Sequence, residues 1–373
     1  MESQPQSQDI FSIDDDFNSL YINRKIKPLY KYIMASLIIS IVSITLLFFF
    51  KASTGSEVLA TNHYNYNLNK KITLDDQYSI DNLEKLFYTN KGITHDVFVK
   101  KIHSHNDYWR NTPLLDAISL GVQSVEADVW YFPENNDETV YVGHSMKSLK
   151  KGVTLDSLYI NPLNAILKGS NNKQDDSADI IIKDNNDING VFDTDHETTL
   201  YLFIDLKTDG NQLFDKIHSK FQNFHNNKWL SYYNETSDEF KWGPITIIGT
   251  GNTPLDKVKN QGEIRYIFFD GPLNKLKEVS EDEINYKVSP IVSSSLRMLV
   301  QQLEITDLLN DDQVKNIKEL VEIAHKGNMK TRIWDTPWWP VNLKRGIWRQ
   351  IINDIKSDYL NVDDLVEGVE FKW

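Results

Sequence analysis

From residue 97 to the C-terminus, apolar runs of strand length alternate with stretches of helical periodicity. Few architectures accept that alternation, because a strand that rejoins its neighbour in parallel needs a helical crossover. The strand-like runs are Val97–Ile102, Ser124–Trp130, Leu200–Leu206, Ile245–Gly249, Arg265–Phe269, Pro290–Ser293, Thr331–Trp334 and Tyr359–Val362. A short extra strand, Thr139–Gly143, follows the second. Eight strands with intervening helices predict an α/β fold, a (β/α)8 TIM barrel over residues 96–373, near the usual size of about 250 residues.

Two stretches interrupt the rhythm. Residues 168–199 are Asn/Asp-rich and poor in apolar side chains, and read as a disordered insertion. Residues 223–243 form a second polar excursion carrying the sequon Asn234-Glu235-Thr236, which reads as a loop. Residues 51–95 read as a polar stalk with one short helix around Ile80–Tyr88.

Upstream, Tyr32–Phe50 contains no charged residue. At about 1.5 Å per residue such a helix matches a hydrocarbon core of ~30 Å. Arg24, Lys25, Lys27 and Lys31 precede it, whereas only Lys51 closely follows. The positive-inside rule then predicts a single-pass anchor with residues 1–31 cytoplasmic and the barrel lumenal or extracellular. A secretory signal peptide fits less well, since its shorter apolar region begins near the N-terminus.

Composition removes several functions. The 373 residues carry a formal net charge of -13, which disfavours nucleic acid as a partner. Cysteine is absent, which excludes disulfides, thiolate metal sites and cysteine nucleophiles.

The chemistry concentrates at the ends of the early strands, the end of a barrel where active sites form. The first strand leads into His103, Ser104, His105, Asn106, Asp107 and Tyr108. The second carries Glu126 and Asp128, the extra strand ends at His144, and the third carries Asp205 and Lys207. Strand side chains alternate, so His103 and His105 share a face, as do Glu126 and Asp128, and Asp205 and Lys207. Burying paired carboxylates is costly without a cation. Glu126, Asp128 and Asp205 are therefore candidate ligands of a hard ion, Mg2+ or Ca2+. His103 or His105, with His144, would supply the acid and base of a phosphoryl displacement. Lys207 would hold a phosphate oxygen and Trp334 would stack on a headgroup. Asp270 is a candidate contact to the leaving group, or a support behind the residues that meet substrate. Trp338 and Trp339 follow; they suit a membrane interface, or packing beneath a helix beginning near Val341.

The run HSHNDYWRNTPLLDAISLGVQSVEADVW, followed by VGH, TLDSLYINPL and FIDLKT, resembles the fungal Altered inheritance of mitochondria protein 6 family of the phospholipase-C-like phosphodiesterase superfamily. The resemblance implies a metal-dependent phosphoric diester hydrolase acting on a phospholipid or lipid-derived phosphodiester. It implies metal ligation by Glu126 and Asp128, with His144 as the second catalytic histidine. Asp205 and Lys207 are similar to the Asp-Leu-Lys-Thr of the sphingomyelinase D group, where the aspartate completes the metal site and the lysine faces phosphate. The superfamily's His-Arg-Gly is replaced here by His-Ser-His-Asn, which leaves His103 and His105 as alternatives for the first histidine. It also leaves Arg110 as the substitute for the usual phosphate-binding arginine, with Asn106 a further candidate to bind substrate.

Two other readings compete. His-x-His after a first barrel strand also opens the amidohydrolase metal site, but the later strand ends supply no further histidine. A membrane-anchored barrel that binds a lipid headgroup without turnover is the other, since fold does not fix activity.

Overall fold

The computed structural model describes residues 93–135, 137–171 and 188–372. Eight parallel strands close into a barrel: β1 (Lys100–Ser104), β2 (Val122–Trp130), β4 (Leu200–Leu206), β7 (Ile245–Gly251), β9 (Ile267–Pro272), β10 (Ile291–Ser295), β11 (Lys330–Trp334) and β12 (Tyr359–Val362). Closure is made by β1, which pairs with β12 on one side and β2 on the other. The extra strand β3 (Tyr141–Val142) is shorter than the sequence pattern suggests and runs antiparallel to β2. Around the barrel lie α1 (Leu115–Ser119), α2 (Asn161–Ser170), α3 (Gly210–Asn226), α4 (Leu255–Lys259), α5 (Leu296–Val300), α6 (Asp311–Lys326), α7 (Val341–Arg349) and α8 (Leu365–Glu370).

Strand β4 shows why these segments fold so. A strand covered on both faces reads as a near-continuous apolar run, and LYLFIDL is one. Leu200, Leu202, Ile204 and Leu206 pack outward in the layer between sheet and helices. Tyr201 and Phe203 point inward, where Ile248, Phe268, Ile291 and Tyr359 join them to fill the barrel interior. The helices contribute one apolar stripe each: on α3 it is Leu213, Phe214, Ile217, Phe221 and Phe224. The Asp209 side chain caps α3 by accepting from the Gln212 N–H, and Asn310 with Gln313 forms a capping box on α6.

Several sequence expectations need correction. The first strand starts at Lys100 rather than Val97, because Val97 N–H closes a turn on the Thr94 carbonyl and the Lys100 N–H is the first to reach Gly121 O. The fifth divides at Tyr266. Ile264–Arg265 forms β8, which joins β5 (Tyr232–Asn234) and β6 (Glu239–Lys241) in a separate antiparallel sheet. Residues 223–243 are thus the end of α3 and a hairpin, not a plain loop; their polar exposed face hides the buried Tyr233. The ends of the 168–199 stretch are also structured: α2 continues to Ser170, and Val191 and Phe192 are buried in the main core. A sparse apolar pair in a polar stretch was too weak a pattern to reveal that packing. The middle of the stretch, residues 172–187, lies outside the described residues, as do the expected anchor Tyr32–Phe50 and the helix around Ile80–Tyr88. Among the described residues no helix is long and apolar enough to cross a membrane.

Candidate active site at the barrel mouth

Parallel register brings the acidic residues together. Glu126 lies beside Phe203 and Asp128 beside Asp205, so the inward faces of β2 and β4 carry three carboxylates above the aromatic filling. One oxygen from each of Glu126, Asp128 and Asp205 lies within 4.8 Å of the others. The Lys207 ammonium bridges two of them, at 2.7 Å from Asp205 Oδ2 and 3.1 Å from Asp128 Oδ2. Asp205 Oδ1 is buried with no hydrogen-bond partner. Beside it runs Gly251 in the left-handed region (φ 63), where a Cβ would sit 2.0 Å from that oxygen.

The electrostatics describe a site short of positive charge. Burial lifts the Asp128 carboxyl to about 7, helped by Glu126 and Asp205 and opposed by Lys207. Burial also raises Asp205, against the pull of Lys207. At Glu126 burial acts upward too, but the charges of Arg332 and His105 hold the group well below the usual range. The three carboxylates, with Lys207 paired to Asp128 and Asp205 and one Asp205 oxygen orphaned, form an all-oxygen donor set. That set fits a hard divalent cation.

The two candidate histidines of β1 occupy different environments. His103 is fully buried and both ring nitrogens are engaged. Arg332 Nη1 donates to His103 Nε2 at 2.8 Å, so His103 Nδ1–H donates to Ser124 Oγ at 2.7 Å. Burial, then the Arg332 charge, lower its pKa to about 3 and keep it neutral. His105 instead is about a quarter exposed: its Nδ1 lies 2.7 Å from Asp363 Oδ1 and its Nε2 3.7 Å from Glu126 Oε2. Burial would lower the His105 pKa, but the Asp363 hydrogen bond and the charges of Glu126 and Asp363 outweigh it and raise the value.

Tyr108 organises the opposite side. Its hydroxyl lies 2.8 Å from Asp128 Oδ2, 2.5 Å from Asn106 Oδ1 and 3.2 Å from His144 Nδ1. Having one proton, it donates to one of the oxygens and accepts from His144 Nδ1–H, which leaves His144 Nε2 open. The exposed Trp109 ring lies 5.1 Å from the His144 ring.

Asn106 and Arg110, expected to meet substrate, are engaged within the protein. Asn106 is buried in a left-handed conformation, where its N–H donates to Glu126 Oε2 at 3.0 Å. Arg110 donates to the carbonyls of His105 and Asp363 and to Ser104 Oγ, tying the β1 and β12 loops together. Trp334 stands partly exposed at the end of β11. Trp338 and Trp339 are both exposed, so the expectation that one of them packs beneath α7 fails for both.

Sequence reasoning passed over Tyr108, Asp363 and Arg332. Asp363 directly follows the eighth strand, the position that had marked His103 and Asp205 as candidates. Arg332 is the buried cation on the inward face of β11, bonded to His103, to Ser293 Oγ at 3.0 Å and to Asn361 Oδ1 at 3.2 Å, with Asp270 Oδ2 at 3.4 Å. Asp270 is thus a buried partner of Arg332, although its Oδ1 has no partner.

A closed parallel barrel with a carboxylate cluster and histidines at its C-terminal mouth defines a class, and the family comparison agrees. Residues 91–270 match the AIM6-like phosphodiesterase domain. The chain is 36% identical over 282 residues to Altered inheritance of mitochondria protein 6 of Eremothecium gossypii, covering 73% of this chain and 70% of that protein. It is 35% identical to the Arthroderma benhamiae homolog, over 73% of this chain and 84% of that protein. To the Saccharomyces cerevisiae protein it is 37% identical over 72% and 70%. The chain belongs to the Altered inheritance of mitochondria protein 6 family.

Proposed function

We propose that this protein is a metal-dependent phosphoric diester hydrolase acting on a phospholipid or lipid-derived phosphodiester, held at a membrane by Tyr32–Phe50 with the barrel on the lumenal or extracellular side. The observation that carries the metal is the buried, unpartnered Asp205 Oδ1 beside Glu126 and Asp128. These three would hold Mg2+ or Ca2+, which when bound neutralises charge on the phosphoryl oxygens.

The protein's own groups supply the proton chemistry. His105, oriented by Asp363, is the base: its Nε2 takes the proton of the attacking water or substrate hydroxyl as the new P–O bond forms. His144, oriented through Nδ1–H by Tyr108, is the acid in its imidazolium form: its Nε2–H protonates the leaving oxygen as the ester P–O bond breaks, which returns the ring to the neutral form with Nε2 open. Lys207 stabilises charge on the phosphoryl group. His103 is a positioning residue, because both its nitrogens are committed.

The test is turnover of a panel containing glycerophosphodiesters, phosphatidylinositol and sphingomyelin, with chelation and Mg2+ or Ca2+ add-back. Metal-dependent hydrolysis lost in His144→Ala and Glu126→Gln is the expected result. A folded protein that binds metal and hydrolyses none of the panel would instead favour a headgroup-binding barrel.

A further inference from the structure

The large apolar side chains left in solvent are concentrated around one end of the barrel. Trp109 (59% exposed), Met146 (62%), Met298 (55%), Leu303 (90%), Trp338 (80%) and Trp339 (64%) all lie in the segments that follow β1, β3, β10 and β11 at the mouth that holds the carboxylates. They are held there by defined contacts. Trp109 lies against His144, two residues before Met146. A two-pronged Arg297–Asp335 ion pair ties α5, on the residue before Met298, to the segment after β11, three residues before Trp338. Soluble surfaces scatter such side chains singly; several gathered at one end mark an interaction site.

The loop bearing Met146 also carries Lys147, Lys150 and Lys151, all exposed, in a chain whose net charge is -13. Exposed tryptophans and lysines at the same end of a fold are the chemistry of a surface that enters the headgroup region of an anionic bilayer. We propose that this rim docks on an anionic membrane surface, so that the mouth opens directly onto the headgroups. The inference rests on the mouth being a lipid-phosphodiester site and deepens that reading: the substrate is a diester presented in a bilayer.

The absence of cysteine makes a direct test simple. The full chain with Met298→Cys carries one environment-sensitive fluorophore and is reconstituted, barrel outward, into phosphatidylcholine vesicles with or without phosphatidylserine. Quenching by doxyl-labelled lipid reports contact with the bilayer and needs no turnover, so failure of docking and failure of catalysis are read separately. The expected result is strong quenching that rises with phosphatidylserine and falls with salt. A label at Lys326→Cys, at the end of α6 that leads into β11 from the opposite face, should stay unquenched. Adding Trp338→Ser and Trp339→Ser should release the Met298→Cys label, and each lysine changed to Gln should lower the docked-to-free ratio about fivefold. Quenching at position 298 no greater than at 326 would overturn the proposal. So would a blue-shifted but unquenched label, which would mean that a second copy of the chain covers the rim.

Discussion

Replacing Arg332 with Met keeps much of the side-chain volume and removes the charge at the centre of the barrel. The guanidinium is 4% exposed and its partner Asp270 6%, so solvent does not screen the pair. It donates to His103, Ser293 and Asn361, lies 4.5 Å above the Phe203 ring, and faces Asp270 at 3.4 Å. Removing one member of a buried ion pair costs about 3–5 kcal/mol, chiefly because the other charge is stranded. The Asp270 contact is long for a charge-assisted bond, so we place the loss near the lower bound, about 3 kcal/mol. Burial already raises the Asp270 carboxyl, and Arg332 opposes that rise. Without Arg332 the folded pKa climbs further above the unfolded value. The folded state then holds the proton more tightly, so stability falls as pH rises through the folded pKa and returns as pH falls. Equilibrium urea denaturation should therefore show a smaller deficit at about pH 5 than at about pH 8. Arg332→Met with Asp270→Asn should recover part of the loss. A deficit below about 1 kcal/mol, or one that ignores both pH and the second substitution, would refute the reasoning.

Asp107 should make the fold more stable in mild acid. Burial lifts its carboxyl to about 6 despite hydrogen bonds from Ser104, Leu114 and Tyr159. Its contribution is complete below the unfolded pKa near 4 and is lost as pH rises through about 6, on the order of 3 kcal/mol; Asp107→Asn should flatten that profile in urea melts. Gly251→Ala should cut divalent-ion affinity measured by calorimetry at least tenfold or so, since the new methyl collides with Asp205 Oδ1; unchanged affinity would remove Asp205 from the ligand set. Phe192→Ala should cost about 3–5 kcal/mol in a denaturation series, a loss that a disordered insertion would not produce.

The residues of the site were more legible in the sequence than their roles. Alternation of apolar runs and helical stripes was enough to foretell a barrel, because only strand–helix crossovers close a parallel sheet. Period-2 spacing alone places Glu126 with Asp128, and Asp205 with Lys207, on common faces. Choosing between His103 and His105 required knowing what surrounds each ring. Two residues apart at the end of one strand, they look equivalent in sequence. In the fold one is sealed between Ser124 and Arg332, and the other lies between Asp363 and the mouth.

What the sequence alone determined was local: strand and helix periods, the carboxylates and histidines at strand ends, the absence of thiol chemistry, and the uncharged stretch Tyr32–Phe50. Only the tertiary structure decided which groups are consumed internally. Arg110 is spent on loop carbonyls, Arg332 reaches His103 across 229 positions, and Asp363 reaches His105 across 258. Barrel closure brings β11 and β12 beside β1, and no pattern within one strand encodes which distant side chain will meet it there.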